Sequence, residues 1–322
     1  MATSEQLKAL IRSHLSENTE QFITVALQVA AHEARQGHNG VAEDIRKLVN
    51  DVKSKQKVVV KFPNELSQLI FSERPDVPLK ALVLKDDLKD RIERVILEFK
   101  QQNKLKKYGL NHRRKLLLSG APGTGKTMTA KVLAYELNQP LHMVQMDRLV
   151  TKYMGETSAK LRQIFDHMKE VPGIYLFDEF DAIGGERSFD NDVGEMRRVL
   201  NSFLQFIEND DSDNLLIAST NNVQLLDRAL FRRFDDILHY DIPDKNERIS
   251  LIANILGTFI DNRFPLDNAA EIAAGLSHAE IDQACKDAIK IAILDNKKRV
   301  SIESLKKLFK EKQFDYKHRG NN

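Results

Sequence analysis

Residues 120–127 read Gly-Ala-Pro-Gly-Thr-Gly-Lys-Thr. This octapeptide fits the pattern G-x-x-x-x-G-K-S/T, which is typical of a loop that binds phosphate groups. Residues 115–118, before it, form an apolar run of strand type, and residues 128–137, after it, are good helix formers. Because a strand, a glycine-rich loop and a helix follow one another, the stretch predicts a nucleotide-binding α/β fold rather than a chance turn.

The residue types in the loop suit phosphate binding. Glycines lack a Cβ atom, so backbone N–H groups can close on phosphate oxygens, and the following helix directs the positive end of its dipole at the same oxygens. Lys126 is predicted to reach the β- and γ-phosphates, and the Thr127 hydroxyl to bind Mg²⁺. The predicted nucleotide-binding residues of the loop are Gly120, Ala121, Pro122, Gly123, Thr124, Gly125, Lys126, Thr127 and Met128.

Two acids follow an apolar strand some fifty residues after the loop. Residues 174–179 read Ile-Tyr-Leu-Phe-Asp-Glu. A strand end beside a phosphate-binding loop is where a second Mg²⁺ contact is needed, so Asp178 is predicted to join Thr127 as a metal ligand. Glu179 is then predicted to polarise or orient the attacking water.

The composition indicates a soluble globular protein, with 42% hydrophobic and 30% charged residues. The net charge of +2 provides no overall field that would recruit nucleic acid or an anionic membrane. No apolar run approaches the ~20 residues of a membrane span, and no signal peptide opens the sequence. Together with a single cysteine, Cys285, which we expect to be a small buried hydrophobe, these features favour a cytoplasmic protein.

Hydrophobic periodicity predicts three structured regions. Residues 1–55 carry helical stripes and predict a small helical bundle, and residues 56–80 contain three prolines and predict a linker with some strand character. Strands and helices alternate over residues 81–243, which indicates a parallel sheet with helices on both faces. Residues 244–312 predict a small helical domain, and residues 313–322 a frayed polar tail. The strand candidates are residues 116–119, 141–145, 174–177, 215–219 and 237–240.

These motifs, in this order, resemble AAA ATPases of the narrow type that carries the second region of homology. That family includes the membrane-bound AAA proteases, the proteasomal ATPases, katanin and spastin. The similarity runs from about residue 82 to about residue 312. It implies a P-loop fold with a helical lid, ATP and Mg²⁺ as cofactors, and a homo-oligomeric ring of six subunits.

The resemblance also assigns roles to polar residues after the fourth predicted strand. Asn221 closes Ala-Ser-Thr-Asn and matches the family's sensor asparagine, which implies that it positions the attacking water. Arg232 and Arg233 match the arginine-finger segment, in a shortened form also found in katanin-like members. They are implied to reach the γ-phosphate of a neighbouring subunit, since a guanidinium stays charged and binds phosphate oxygens in a fork. The alternative is a pair of surface arginines in salt bridges.

The lid motif departs from the family pattern at one position. Residues 275–281 align with it, but His278 stands where the family has glycine. The resemblance implies that this backbone lies near the ribose and adenine, so we expect nucleotide binding with an altered adenine pocket. The alignment places the candidate adenine contacts at Leu82, Val83, Leu251 and Ala279.

A loop after the second predicted strand matches the first pore loop of family members that thread protein. Its residues are Lys152, Tyr153, Met154 and Gly155. The resemblance implies that an aromatic and a bulky apolar side chain project into a central channel, where they can grip unfolded peptide of any sequence. The alternative is that Tyr153 and Met154 simply pack within the loop.

The resemblance therefore implies an ATP-hydrolysing ring motor that remodels, unfolds or threads protein, with the N-terminal bundle selecting substrate or docking an adaptor. No zinc-protease domain follows the lid region, so a separate protease is a possible partner.

One alternative is an ATPase that acts on nucleic acid, such as a loader or a transposition regulator. A basic stretch supports this alternative, and the Tyr153-Met154 loop argues against it. Another alternative is a nucleotide-gated assembly switch that rarely hydrolyses ATP. The presence of Glu179, Arg232 and Arg233 argues against it. The basic stretch comprises Lys100, Lys104, Lys106, Lys107, Arg113, Arg114 and Lys115.

Overall fold

The computed structural model describes residues 8, 19–55, 66–149, 156–180, 192–222 and 231–319. The chain divides into two compact units, Met1–Val59 and Val60–Asn322. In the first unit, helix α1 (Thr19–Arg35) packs against helix α2 (Asn39–Lys55) through the buried side chains of Ala26 and Val49. Apart from residue 8, residues 1–18 of the predicted bundle lie outside the described residues.

The second unit is built on a six-stranded sheet. Its strands are β1 (Ile70–Glu73), β2 (Lys115–Gly120), β3 (Leu141–Val144), β4 (Ile174–Phe177), β5 (Leu215–Thr220) and β6 (Asp236–Tyr240). The strand order is β1-β3-β4-β5-β2-β6, and all neighbours are parallel except β1 and β3. The predicted α/β fold with a parallel sheet is confirmed.

Helices cover both faces of this sheet. They are α3 (Asp86–Lys100), α4 (Gln102–Lys107), α5 (Lys126–Glu136), α6 (Met146–Leu149), α7 (Glu156–Glu170) and α8 (Asp192–Asn209), with short 3₁₀ turns at Leu66–Gln68 and Leu79–Ala81. Alternate residues of each strand enter different cores: Leu117 packs with side chains of α7 and α8, whereas Leu116 and Leu118 pack with α3 and α5. Strands buried on both faces explain why they read as continuous apolar runs.

Strand β1 lies within the segment that the sequence predicted as a linker. It pairs antiparallel with β3, with Ile70 opposite Val144 and Glu73 opposite Leu141. Ile70 is buried and Phe71 is exposed, so this edge strand offers only a short apolar signal. The sheet therefore begins before the predicted boundary at residue 81.

Four helices form the region that is predicted to be the lid: α9 (Lys245–Leu256), α10 (Leu266–Ile272), α11 (His278–Leu294) and α12 (Ile302–Arg319). They enclose a core of their own, which includes the fully buried Cys285, as expected. Residues 313–319, which were expected to belong to a frayed tail, continue α12 as far as Arg319, and residues 320–322 lie outside the described residues. The Gln313 side-chain amide donates hydrogen bonds to the carbonyls of Ile272 and Ala274, at 2.7 and 3.1 Å, which holds this turn against the lid.

A buried histidine in β3 makes the stability of the second unit depend on pH. His142 is fully buried, its Nδ1 atom lies 2.7 Å from the Ser72 hydroxyl, and burial lowers its pKa to about 4. In the unfolded chain the imidazole of His142 has a pKa of about 6.5. Its contribution to the free energy of unfolding is therefore fully present above that pH and is lost as the pH falls towards 4. We expect the free energy of unfolding to fall by about 2 kcal/mol more in the parent than in His142→Asn between pH 7.5 and 4.5. Urea unfolding at both pH values checks this, and equal losses in the two proteins would contradict it.

Candidate functional site

The glycine-rich loop connects β2 to α5 and lies against the lid. Gly120 has φ +148°, and a Cβ atom there would lie 2.1 Å from the carbonyl oxygen of Tyr240. A Cβ atom on Gly123 would lie 2.8 Å from the Ser277 hydroxyl and 3.1 Å from the Ala279 side chain. The backbone N–H of Ala279 donates to the Gly123 carbonyl at 3.0 Å. Only glycine allows the loop to approach both β6 and the first turn of α11 this closely.

Lys126 is buried at the start of α5 and connects the loop to the end of β5. Its ammonium group donates to the carbonyls of Gly120 and Ala121 at 2.8 and 2.9 Å and to the Asn221 side-chain oxygen at 2.8 Å. Strands β2 and β5 are parallel neighbours, so the loop after one and Asn221 after the other meet at the same edge of the sheet. The structure therefore brings the predicted lysine and the predicted sensor asparagine into contact.

Thr127 and Asp178 also meet at this edge. The Thr127 hydroxyl donates to Oδ2 of Asp178 at 2.7 Å. A hydroxyl and a carboxylate are the oxygen ligands that suit Mg²⁺, and α5 and β4 hold them within hydrogen-bonding distance of each other. The chemistry of this pair fits the predicted metal ion.

Glu179 follows Asp178 in a left-handed turn. Its φ is +54°, and its side chain is exposed at the edge of the cavity described below. A left-handed conformation costs a residue with a Cβ atom about 1 kcal/mol or more, and such conformations are found at functional sites. Asp178 thus accepts the hydrogen bond from Thr127, while the exposed Glu179 lines the cavity.

A cavity of about 930 Å³ lies between the loop, the segment after the Leu79–Ala81 turn and the lid. This volume suits a nucleotide-sized ligand. Residues 122–128 line it, as do Asp178, Glu179 and Asn221, and so do all four residues that the alignment proposed for adenine: Leu82, Val83, Leu251 and Ala279.

Several lining residues were not among the predicted contacts. Ile255 lies one helical turn after Leu251 on α9, and Asp282 lies one turn after His278 on α11, so helical spacing from the aligned residues could have found both. The segment before Leu82 has no motif that would have identified it. The lining residues that were not predicted as contacts are Lys80, Ala81, Leu84, Asn254, Ile255, His278 and Asp282.

His278 connects the lid to the body of the second unit. Its Nε2 atom lies 3.1 Å from the carbonyl oxygen of Val83, and because a carbonyl oxygen only accepts, Nε2 carries the proton. Burial lowers the pKa of His278, which favours the neutral ring. Ser277 caps the same helix with Glu280 in a capping box. The departure from glycine thus places an imidazole on the wall of the cavity.

The two predicted finger arginines do not line this cavity. Arg232 is exposed, and the Arg233 guanidinium lies 3.5 Å from the Glu208 carboxylate at the end of α8. Within one chain the structure does not bring them to Lys126 and Glu179. The predicted pore-loop residues 152–155 lie outside the described residues.

Much of the basic stretch is paired within the fold. Lys106 lies 2.6 Å from Asp213, Arg113 bonds Glu98, and Arg114 bonds the buried carboxylate of Asp210. The Lys115 ammonium donates to a backbone carbonyl of α8. Arginines and lysines held by carboxylates in this way are less available to phosphates of a nucleic acid.

The described residues contain neither a membrane-spanning helix nor a cluster of metal-binding side chains. None of their helices combines the length and the apolar character needed to cross a membrane. They also contain no group of three or more His, Cys, Asp or Glu side chains arranged to hold a metal ion. The Thr127 and Asp178 pair is therefore the candidate metal position that the geometry offers in this part of the chain.

Comparison with known proteins identifies one family. Residues 116–242 match the model described as "ATPase family associated with various cellular activities (AAA)". The chain is 33% identical over 315 residues to an AAA family ATPase of Sinorhizobium fredii, covering 93% of this chain and 92% of that protein.

Two further relatives are named proteasome-activating nucleotidase. The one from Saccharolobus solfataricus is 33% identical over 245 residues, or 72% of this chain, and the one from Methanoregula boonei is 31% identical over 244 residues, or 73% of this chain. The matched region spans 62% and 56% of those two proteins.

Proposed function

The chain belongs to the AAA family of ATPases, and from that premise we propose that it is an ATP-driven ring motor that remodels protein. The family membership rests on the relative matched along 93% of the chain and makes the protein an ATPase. The observation that supports the placement of the reaction is the convergence of Lys126, Thr127, Asp178 and Asn221, which come from three elements, at one end of a cavity of about 930 Å³.

The proposed reaction is phosphoryl transfer from ATP to water. The backbone N–H groups of residues 123–128 and the Lys126 ammonium would bind the phosphates. Thr127 and Asp178 would hold Mg²⁺, which neutralises charge on the phosphate oxygens. Glu179 would accept a proton from the attacking water, and Asn221 would orient that water. Positioning and charge stabilisation then supply most of the rate enhancement.

A second subunit would complete the site. Arg232 and Arg233 do not line their own chain's cavity, and the exposed Arg232 guanidinium is available to a neighbouring copy. A guanidinium brought to the γ-phosphate would stabilise the charge that develops in the transition state. This arrangement requires a homo-oligomer with head-to-tail interfaces, which close into a ring; a hexamer is the number that the family resemblance implies.

Protein is the proposed substrate. The support is the similarity to relatives named proteasome-activating nucleotidase and the sequence Lys-Tyr-Met-Gly at residues 152–155. The nucleic-acid alternative loses support, because Lys106, Arg113 and Arg114 are paired with carboxylates of the same chain. An adaptor or a separate protease remains a proposed partner.

Replacing Tyr153 tests the choice of substrate. We expect Tyr153→Ala to keep basal ATP turnover within about twofold and to lose protein unfolding, because the aromatic contact area is removed while the described residues that line the cavity stay unchanged. Tyr153→Phe is the matched control and should unfold protein nearly as well as the parent. The measurement is loss of fluorescence from a tagged fluorescent protein in the presence of ATP. Full unfolding activity in Tyr153→Ala would remove the threading role.

The end of the cavity that is proposed to hold adenine gives a separate prediction. His278→Ala removes the hydrogen bond from the lid to the Val83 carbonyl. We expect ATP to bind about fivefold more weakly, which corresponds to the loss of one hydrogen bond of ~1 kcal/mol. Binding of inorganic tripolyphosphate, which has no base, should not change, and His278→Gln should retain most of the ATP affinity because its amide can still donate. Equal or tighter ATP binding in the alanine variant would contradict this role.

A further inference from the structure

Ser219 lies beside the acidic pair because of the register between β4 and β5. These strands are parallel, and Phe177 lies opposite Ala218, so the next residues along each strand, Asp178 and Ser219, come side by side. The Ser219 side chain is only 1% exposed. A buried hydroxyl needs a hydrogen-bond partner, and here the partner is a carboxylate of the candidate site.

Both oxygens of Asp178 are held by hydroxyl groups. The Ser219 hydroxyl donates to Oδ1, and the Thr127 hydroxyl donates to Oδ2 at 2.7 Å. Two donors on opposite oxygens prevent the carboxylate from rotating, and hydrogen bonds to a charged acceptor are the stronger kind. Ser219 therefore fixes the direction in which Asp178 presents Oδ2 to Thr127.

Ser219 also contacts the turn that carries Glu179. The backbone N–H of Glu179 points to Oδ1 of Asp178 at 3.1 Å and to the Ser219 hydroxyl oxygen at 3.3 Å. The next N–H, of Phe180, donates to the Ser219 carbonyl at 2.8 Å, and the Phe180 ring packs on Phe203 with centroids 4.4 Å apart. Glu179 has φ +54°, so a conformation that costs free energy is held by these contacts.

We propose that Ser219 is a positioning residue for the hydrolysis site: its hydroxyl orients Asp178 towards the metal position and holds the Glu179 turn. The inference rests on the proposed placement of ATP and Mg²⁺ in this cavity. Groups that hydrogen-bond a metal-binding carboxylate tune its affinity for the ion, and their removal typically costs 10–100-fold in metal affinity or activity. Ser219 acts through Asp178 and Glu179 rather than on the reacting atoms.

Ser219→Ala separates this role from general damage. The substitution removes the hydroxyl but keeps the main-chain bond from Phe180 to residue 219. With a fluorescent, non-hydrolysable ATP analogue, we expect unchanged affinity in EDTA and an about tenfold higher Mg²⁺ concentration for the half-maximal effect of the metal on binding. We also expect kcat for ATP to fall about tenfold or more at saturating Mg²⁺.

Ser119→Ala is the matched control. Ser119 is equally buried, lies on the neighbouring strand β2, and its hydroxyl faces His239 Nδ1 at 3.2 Å instead of an acid. It should leave the Mg²⁺ midpoint of the parent unchanged. The inference is overturned if Ser219→Ala has the parent's Mg²⁺ midpoint, if it weakens binding equally with and without Mg²⁺, or if Ser119→Ala shows the same shift. If the parent itself binds no analogue with Mg²⁺, the proposed site fails and the inference with it.

Discussion

Glu179→Gln is expected to bind ATP as tightly as the parent and to lose about 10³-fold in kcat. The carboxylate is exposed at the cavity edge and takes no part in the hydrogen bond between Thr127 and Asp178, so its removal should spare the metal and phosphate contacts. Glutamine has nearly the same shape but cannot accept the proton of water, and general base catalysis contributes about 10²–10⁴-fold. Steady-state turnover and the dissociation constant for ATP are the two measurements, because they separate chemistry from binding.

Lys126→Ala is the contrasting variant. Its ammonium is buried among Gly120, Ala121 and Asn221 at the centre of the loop, and we expect its loss to abolish measurable ATP binding. Turnover near the parent rate in Glu179→Gln would remove the base assignment. Normal ATP affinity in Lys126→Ala would remove the phosphate-loop assignment, whatever the glutamine variant does.

Arg232→Ala is expected to lower kcat by about 10³-fold as well, and mixing should partly reverse the loss. The exposed arginine does not line its own cavity, so it would act on ATP held by a neighbouring subunit. In rings mixed at random from equal amounts of Arg232→Ala and Glu179→Gln subunits, about a quarter of the interfaces carry an intact Glu179 on one side and an intact Arg232 on the other. ATP turnover of the mixture should therefore exceed that of either variant alone.

The mixing experiment needs two controls. Subunit exchange must be shown directly, for example by fluorescence transfer between labelled variants. Arg263→Ala removes an exposed arginine from the lid and should keep parent activity, so that a general loss of positive charge is excluded. If the subunits exchange and no ratio restores turnover, Arg232 does not act across an interface.

Much of the fold is readable from local sequence because the central strands are buried on both faces. Strand β4 has the predicted bounds, and the ends of β2, β3, β5 and β6 agree within one residue. Strand β1 lies in the segment predicted as a linker with some strand character, since an edge strand with one buried and one exposed apolar residue resembles an irregular segment. The last turns of α12 are not predicted by the local sequence. Gln313 is held by backbone carbonyls of a distant segment, and hydrophobic periodicity does not indicate such a contact.

The same difference between local and long-range contacts applies to the candidate site. Residues in contiguous motifs, such as Lys126 and Asp178, can be predicted from the sequence because each motif has a fixed pattern of residue types. Ser219 was not singled out, since its partner Asp178 is adjacent only through the register of β4 and β5. The contact from His278 to Val83 joins parts of the chain that lie 195 residues apart, so sequence could flag the unusual residue without giving its partner.

The most direct measurement is the rate of ATP hydrolysis by the parent chain with unfolded protein, with DNA and with neither. A protein-remodelling motor should hydrolyse ATP when neither partner is present, hydrolyse it faster with unfolded protein, and change its rate little with DNA. The same preparation should unfold a tagged protein only when ATP is present, and Glu179→Gln should not. Stimulation by DNA that falls steeply as salt rises, with no response to unfolded protein, would contradict the proposed substrate and indicate a motor for nucleic acid.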